Sequence, residues 1–155
     1  MPGMIAMPET PIELFLKNIH KVVFAVDRSA DHLLAKSLDT TFSQFLLLTA
    51  ISRCPGLSQQ KIATFLNLTP AAISRQIDNL VNAGYIVREE DPESRRAHVV
   101  NLTEKGKERH EAMKTVLLRS FKSRIDGIAE KDIEMVNHVL HTILMTFDHE
   151  RGTSS

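Results

Sequence analysis

The stretch SQQKIATFLNLTPAAISRQIDNLVNAG, residues 58–84, decides the fold. Ser58 is a capping residue ahead of a short apolar-periodic run from Gln59 to Leu66, so a helix is expected there. Asn67-Leu68 turns the chain. Thr69 caps again, with Pro70 at the first helical position, where the missing N–H would have no partner anyway. The second helix is expected to run to Asn82, with Gly84 as its left-handed stop. Two short helices joined by a tight turn make a helix-turn-helix. On the second helix Ile73, Ile77 and Leu80 share the face turned toward a small core, which leaves Ala71, Ser74, Arg75 and Asp78 on the opposite side.

Beyond Gly84 the hydrophobic period shortens to that of strands. Tyr85-Ile86-Val87-Arg88, a polar tip from Glu89 to Arg96, and His98-Val99-Val100-Asn101-Leu102 read as a hairpin. Thr103 then caps a long helix carrying Met113, Val116, Leu117, Phe121 and Ile125, and Gly127 separates it from a last helix. There Ile133, Val136, Leu140, Ile143 and Phe147 alternate at steps of three and four, a coiled-coil-like seam. Before Ser58, Thr41-Phe42-Ser43-Gln44 is a capping box. It opens a helix whose Phe45, Leu46, Leu48 and Ile51 are expected in the core and which Cys54-Pro55-Gly56 ends. Thr10-Pro11-Ile12-Glu13 is another box, starting a helix to about Lys36. Ile12, Phe15, Leu16, Ile19, Val22, Val23 and Val26 give that helix a stripe wide enough for more than one neighbour. The architecture expected is mainly α with a small β-wing.

The 155 residues are 43% apolar and 25% charged, the profile of a globular chain, and the apolar runs are too short to span a bilayer. No signal peptide is read at the N-terminus and a lone cysteine, Cys54, makes no internal disulfide, so the expected location is cytoplasmic. Cys54 is read as a small buried hydrophobe. Nineteen Lys and Arg balance 19 Asp and Glu, without the basic excess of an obvious nucleic-acid binder. Neutrality still allows DNA binding when cations share a face and a dimer presents two copies. A Gly-rich phosphate loop, a His-Glu-x-x-His pair and a nucleophile with a clear base are all missing, so no enzyme, no cofactor and no metal site is expected. His138 and His141 are read as polar decoration of the last helix.

The order of elements resembles the MarR (multiple antibiotic resistance regulator) family of bacterial winged-helix regulators over nearly the whole chain. The anchors are Thr41-Phe42-Ser43-Gln44, Leu57-Ser58-Gln59-Gln60-Lys61-Ile62-Ala63 and Ala83-Gly84-Tyr85-Ile86. The most specific is Asp91-Pro92-Glu93-Ser94-Arg95-Arg96 followed by Val100-Asn101-Leu102-Thr103-Glu104-Lys105-Gly106. Glu93 and Ser94 stand where the family often has Arg and Asp, which makes this wing tip less basic. The resemblance implies one domain over residues 10–155: a winged helix-turn-helix at about 40–102, dimerisation helices at about 10–36 and 103–149, and a flexible tail at 1–9.

It also implies a homodimer built on the first and last helices, here Ile12, Phe15 and Ile19 with Ile133, Val136, Leu140, Ile143 and Phe147. Uncovered stripes of that size are rarely tolerated on a monomer. The function expected is a sequence-specific, double-stranded DNA-binding transcription regulator. The family suggests a ligand-responsive repressor on a pseudo-palindromic operator. Arg75 suits guanine in the major groove, Ser74 a base edge or phosphate, and Ala71 a thymine methyl. Backbone N–H groups at the Ser58 and Thr69–Pro70 helix starts suit phosphates. Asp78 shares the exposed face, and Arg95 and Arg96 sit at the wing tip, where one is expected in a minor groove or on the backbone. A small aromatic or phenolic effector is expected near His20, Phe24, Phe42 and Phe45. The rival reading, a winged helix that binds protein rather than DNA, is kept open by the charge balance.

Overall fold

The computed structural model describes the backbone of residues 9–91 and 94–152 and the side chains of residues 9–90 and 98–147. The described chain runs α1 (Pro11–Leu38), α2 (Phe42–Arg53), β1 (Leu57–Ser58), α3 (Gln59–Leu66), α4 (Pro70–Asn82), β2 (Ile86–Asp91), β3 (Ser94–Leu102), α5 (Glu104–Arg124) and α6 (Glu130–Gly152). It divides into two compact units, Met1–Leu118 and Arg119–Ser155, and α5 passes from the first into the second. No described helix is long and apolar enough to cross a membrane.

Local chemistry sets the boundaries in the first unit. Thr10 and Glu13 close the expected capping box on α1, which extends to Leu38 because Asp39 takes the left-handed cap at φ 47°. At α2 only half of the second box forms. Thr41 accepts from the Gln44 backbone N–H at 3.2 Å, but the Gln44 side chain accepts from the buried Thr40 hydroxyl instead of reaching back. Asn67 (φ 53°) makes the turn between α3 and α4, and Gly84 (φ 76°) stops α4 as expected.

The core gathers Leu47, Leu48 and Ile51 of α2, Ile62 of α3, Ile73, Ile77 and Leu80 of α4, Ile86, Val99 and Val100 of the sheet, Met113 and Leu117 of α5, and Leu34 of α1. On α2 the apolar face is shifted from the expected one. Leu47 is buried while Leu46 is exposed, because the helical turn puts Leu47, Leu48, Ala50 and Ile51 together. The sheet has the antiparallel order β1-β3-β2, with Leu57 opposite Val100 and Ile86 opposite Leu102. The two-residue β1 is too short to show any period. The hairpin is longer than expected, since strand pairing continues through Glu89 and Glu90 to a register shift at Asp91.

Cys54 is exposed rather than buried. It follows the last turn of α2 as its C-cap, in a non-helical conformation before Pro55, off the face that packs.

His110 on α5 is buried and stacks on Phe45 of α2 at 5.5 Å. Thr49 donates its hydroxyl proton to the Phe45 carbonyl at 2.8 Å, so at 2.9 Å it can only accept from His110 Nε2. That places the proton of the neutral ring on Nε2. Burial lowers the imidazole pKa below 6.5; Glu111, 4.0 Å from Nδ1, opposes this, and Lys114 and Arg53 reinforce it. A depressed folded-state value means the unfolded chain takes the proton first. The stability from neutral His110 is therefore complete above the unfolded value and lost as pH falls toward the folded one. The urea midpoint of the wild type should drop between about pH 7.5 and about pH 5.5, and His110→Gln should flatten that drop. An unchanged slope in the variant would exclude His110 as its source.

In the second unit α6 carries Met135, Val136, Val139, Leu140, Leu144, Met145 and Phe147 exposed, with Ile133 and Ile143 half-buried. The uncovered stripe is wider than the seam read from spacing. In the first unit α1 likewise exposes Ile12, Phe15, Leu16, Val22 and Val23, while Ile19 and Val26 are half-buried.

Candidate nucleic-acid interface

Helix α4 is fixed from below by Ile73 and Ile77, neither of which is exposed, and by Leu80. That burial sets the rotation of the helix and leaves Ala71 and Arg75 exposed, with Ser74 half-buried beside them. Gln76, unremarked in the sequence, ties α4 to α2 by donating to Ser43 Oγ at 2.8 Å. The two helix starts are built as expected. Ser58 Oγ accepts from the Lys61 N–H at 3.3 Å, and Thr69 Oγ1 from the Ala72 N–H at 3.2 Å, with Pro70 exposed at the first position of α4. Each cap uses one first-turn donor; at α3 this leaves the Gln59 and Gln60 N–H groups outside the helix ladder, and at α4, where Pro70 has no N–H, only that of Ala71.

Asp78 has a partner that sequence spacing did not suggest. Arg88, on β2, donates to Asp78 Oδ1 at 2.5 Å. With the Gln59 amide turned so that its oxygen faces the guanidinium, Gln59 accepts from Arg88 at 2.9 and 3.1 Å. Arg88 thus clips the wing strand to α4 and to the start of α3. Between Ser58 and Ala83 the charged residues are Lys61, Arg75 and Asp78, a net of +1. Arg75 and Asp78 are spaced to pair across one helical turn. The Arg88 clip occupies Asp78 and leaves Arg75 without an ion pair among the described residues. Both clip partners are partly exposed, so Arg88→Ala should change unfolding free energy by no more than about 1 kcal/mol. A loss well above that in denaturant titration would mean that Arg88 holds the core and not only the surface.

Asn101 anchors the other side of the wing. It donates to Glu89 at 2.5 Å and accepts from the Gly56 N–H at 2.8 Å, joining the hairpin to the loop after α2. Arg95 and Arg96 lie on the described backbone of β3, but their side chains fall outside the described residues.

The expected aromatic ligand group is only partly assembled. Phe42 and Phe45 stack at 5.8 Å, continued by His110, while His20 and Phe24 stand exposed on α1, outside that stack. The helical turn puts them on the same uncovered side as Leu16 and Val23. A cavity of about 210 Å³ beside Phe42 is lined by Asp27, Asp31, Ser43, Leu46, Leu66 and Leu68. Among the described residues no three His, Cys, Asp or Glu side chains gather as a metal site, and His138 and His141 are exposed.

Two short helices joined by a tight turn, with β1 ahead of them and the β2–β3 hairpin after them completing a three-stranded sheet, define a winged helix-turn-helix protein. Residues 40–98 match the MarR family. The HTH-type transcriptional regulator YybA of Bacillus subtilis is 25% identical over 135 residues, covering 87% of this chain and 89% of that protein. The transcriptional regulator BldR of Sulfolobus solfataricus superposes with a TM-score of 0.80 at 24% identity, over 90% of this chain and 99% of BldR. A mutant MarR from E. coli complexed with operator DNA superposes with a TM-score of 0.73 at 23% identity, over 86% of this chain and 95% of its own. The family match covers residues 40–98, and over most of its length the chain is similar to an HTH-type transcriptional regulator.

Proposed function

We propose that this chain reads a specific double-stranded DNA sequence as a homodimer. The observation that carries the reading is α4, which is locked by Ile73 and Ile77 so that Ala71 and Arg75 are exposed beside a half-buried Ser74, with Arg75 in no ion pair among the described residues. In this reading α4 enters the major groove, the caps at Ser58 and Thr69–Pro70 hold phosphates, and Arg95 or Arg96 reaches the adjacent minor groove. Asp78 acts at one remove, as the anchor of the wing clip. The uncovered stripes on α1 and α6, with Ile12, Phe15, Ile19, Ile133, Val136, Leu140, Ile143 and Phe147 in them, supply the dimer surface. Two heads then face half-sites roughly 34–36 Å apart on a pseudo-palindrome. With a net of +1 over the reading helices, a single head has little non-specific pull, and bivalency carries the affinity. Occlusion of a promoter in the cytoplasm, relieved by a small effector, is the regulatory outcome this arrangement favours.

The test is fluorescence anisotropy of the purified protein on duplexes from upstream of its own gene, at low and moderate salt. Tight binding to one duplex that weakens steeply with salt supports the reading, because phosphate contacts release counterions. Weak, sequence-indifferent binding without salt dependence would overturn it in favour of a protein partner. The clip adds a sharper expectation. In Arg88→Ala the freed Asp78 turns to Arg75, so operator affinity falls although the fold is nearly as stable as before.

A further inference from the structure

A second cavity in the first unit, of about 290 Å³, lies between the α1–α2 elbow, the C-terminal end of α4, Tyr85 and α5. Two charges of opposite sign line it, Asp39 and Arg109, and among the described residues they form no ion pair with each other. Arg109 donates to the Leu38 carbonyl and lays its guanidinium 5.6 Å from the Tyr85 ring centre. These contacts hold the group in place while leaving further N–H donors for an occupant. Asp39 is the left-handed cap of α1; its backbone N–H bonds Ala35 at 3.2 Å, and its carboxylate accepts no described hydrogen bond. Gln44, whose oxygen is taken by Thr40, has its amide donors available beside Arg109. Buried Leu48 and Leu80 supply an apolar wall.

This lining discriminates by charge. A simple anion would be held by Arg109 and repelled by Asp39, and a simple cation would meet the reverse. A ligand carrying both signs satisfies both poles. We propose that the cavity binds a small zwitterion, a free α-amino acid with an apolar side chain. Its carboxylate lies toward Arg109 and Gln44, its ammonium toward Asp39, and its side chain against Leu48 and Leu80. The occupant also touches Asn79 and Ala83 at the end of α4, so it braces the outward-facing helix against α5 and the α1–α2 elbow. The regulatory meaning of that brace rests on the DNA-reading role proposed above; the binding itself does not.

The experiment is isothermal titration calorimetry of the full chain without DNA, with L-leucine as the probe. Isocaproate, which lacks the ammonium, and isoamylamine, which lacks the carboxylate, are the controls. Asp39→Asn is the variant of choice, because Asn tolerates the left-handed cap and only the charge is removed. L-Leucine should bind, each single-charge analogue at least about tenfold more weakly, and Asp39→Asn should lose about tenfold for leucine with no loss for isocaproate. Three results would overturn the proposal: no binding of leucine at millimolar concentration, equal binding of the analogues, or an Asp39→Asn variant indistinguishable from wild type. With DNA absent, any of them leaves the operator assay to decide the DNA-reading role by itself.

Discussion

Gly106→Ala should lower the melting temperature by roughly 10 °C, a loss of about 3 kcal/mol or more. A Cβ built at Gly106 would lie 2.0 Å from the Tyr85 carbonyl oxygen and 2.9 Å from its carbon, both backbone atoms. The backbone there has little freedom to retreat. The Tyr85 N–H bonds Leu80 at 2.9 Å, its carbonyl accepts from the Thr103 N–H at 3.1 Å, and the Thr103 hydroxyl donates to Gly84 at 2.7 Å. Lys105 adds a bond to Ala83 at 2.7 Å. The first turn of α5 is therefore pressed onto the elbow between α4 and the wing, at a distance only glycine allows. The sign of the effect is diagnostic. Were Gly106 an ordinary helical residue, alanine would stabilise the helix by about 1 kcal/mol. A melting temperature that rises in Gly106→Ala would sink the close-approach argument.

That contact explains what the sequence could and could not disclose. The Leu102-Thr103-Glu104-Lys105-Gly106 run was legible as a helix start, and its glycine as part of a motif. The reason for the glycine lies across the fold at Tyr85. The same division recurs in the reading helix. A 3.6-residue period and two caps were enough to place Ile73, Ile77 and Leu80 inside and Arg75 outside, because α4 is short, capped at both ends and one-sided. On α2, where apolar residues run from Phe45 to Leu48 without interruption, the period is silent and the buried face was misread by one position. Arg88 was beyond reach for another reason. Its partners, Asp78 and Gln59, are neighbours only after the sheet and both helices have packed, so no spacing along one helix points to them. Opposite charges lining a cavity at Asp39 and Arg109 are likewise a product of packing distant segments.

Arg75→Ala should weaken operator binding by about 1–3 kcal/mol, roughly five- to 150-fold, and relax specificity at one base pair per half-site. In the proposed reading the exposed Arg75 guanidinium, with Asp78 engaged by Arg88, offers its planar set of donors to a guanine edge. Lys61→Ala is the informative companion, since Lys61 is exposed on α3 near the cap at Ser58. A phosphate contact there would cost all sequences alike and reduce the salt slope by about one, whereas losing Arg75 should hurt the preferred duplex far more than a scrambled one. Combining Arg75→Ala with Arg88→Ala separates direct reading from positioning. If Arg88 acts by keeping Asp78 away from Arg75, its removal should cost affinity in the wild type and much less once Arg75 is gone. Full additivity of the two losses would mean that Arg88 serves DNA binding independently, through the wing. An Arg75→Ala protein that binds its preferred duplex as tightly as wild type would remove α4 from the recognition surface altogether.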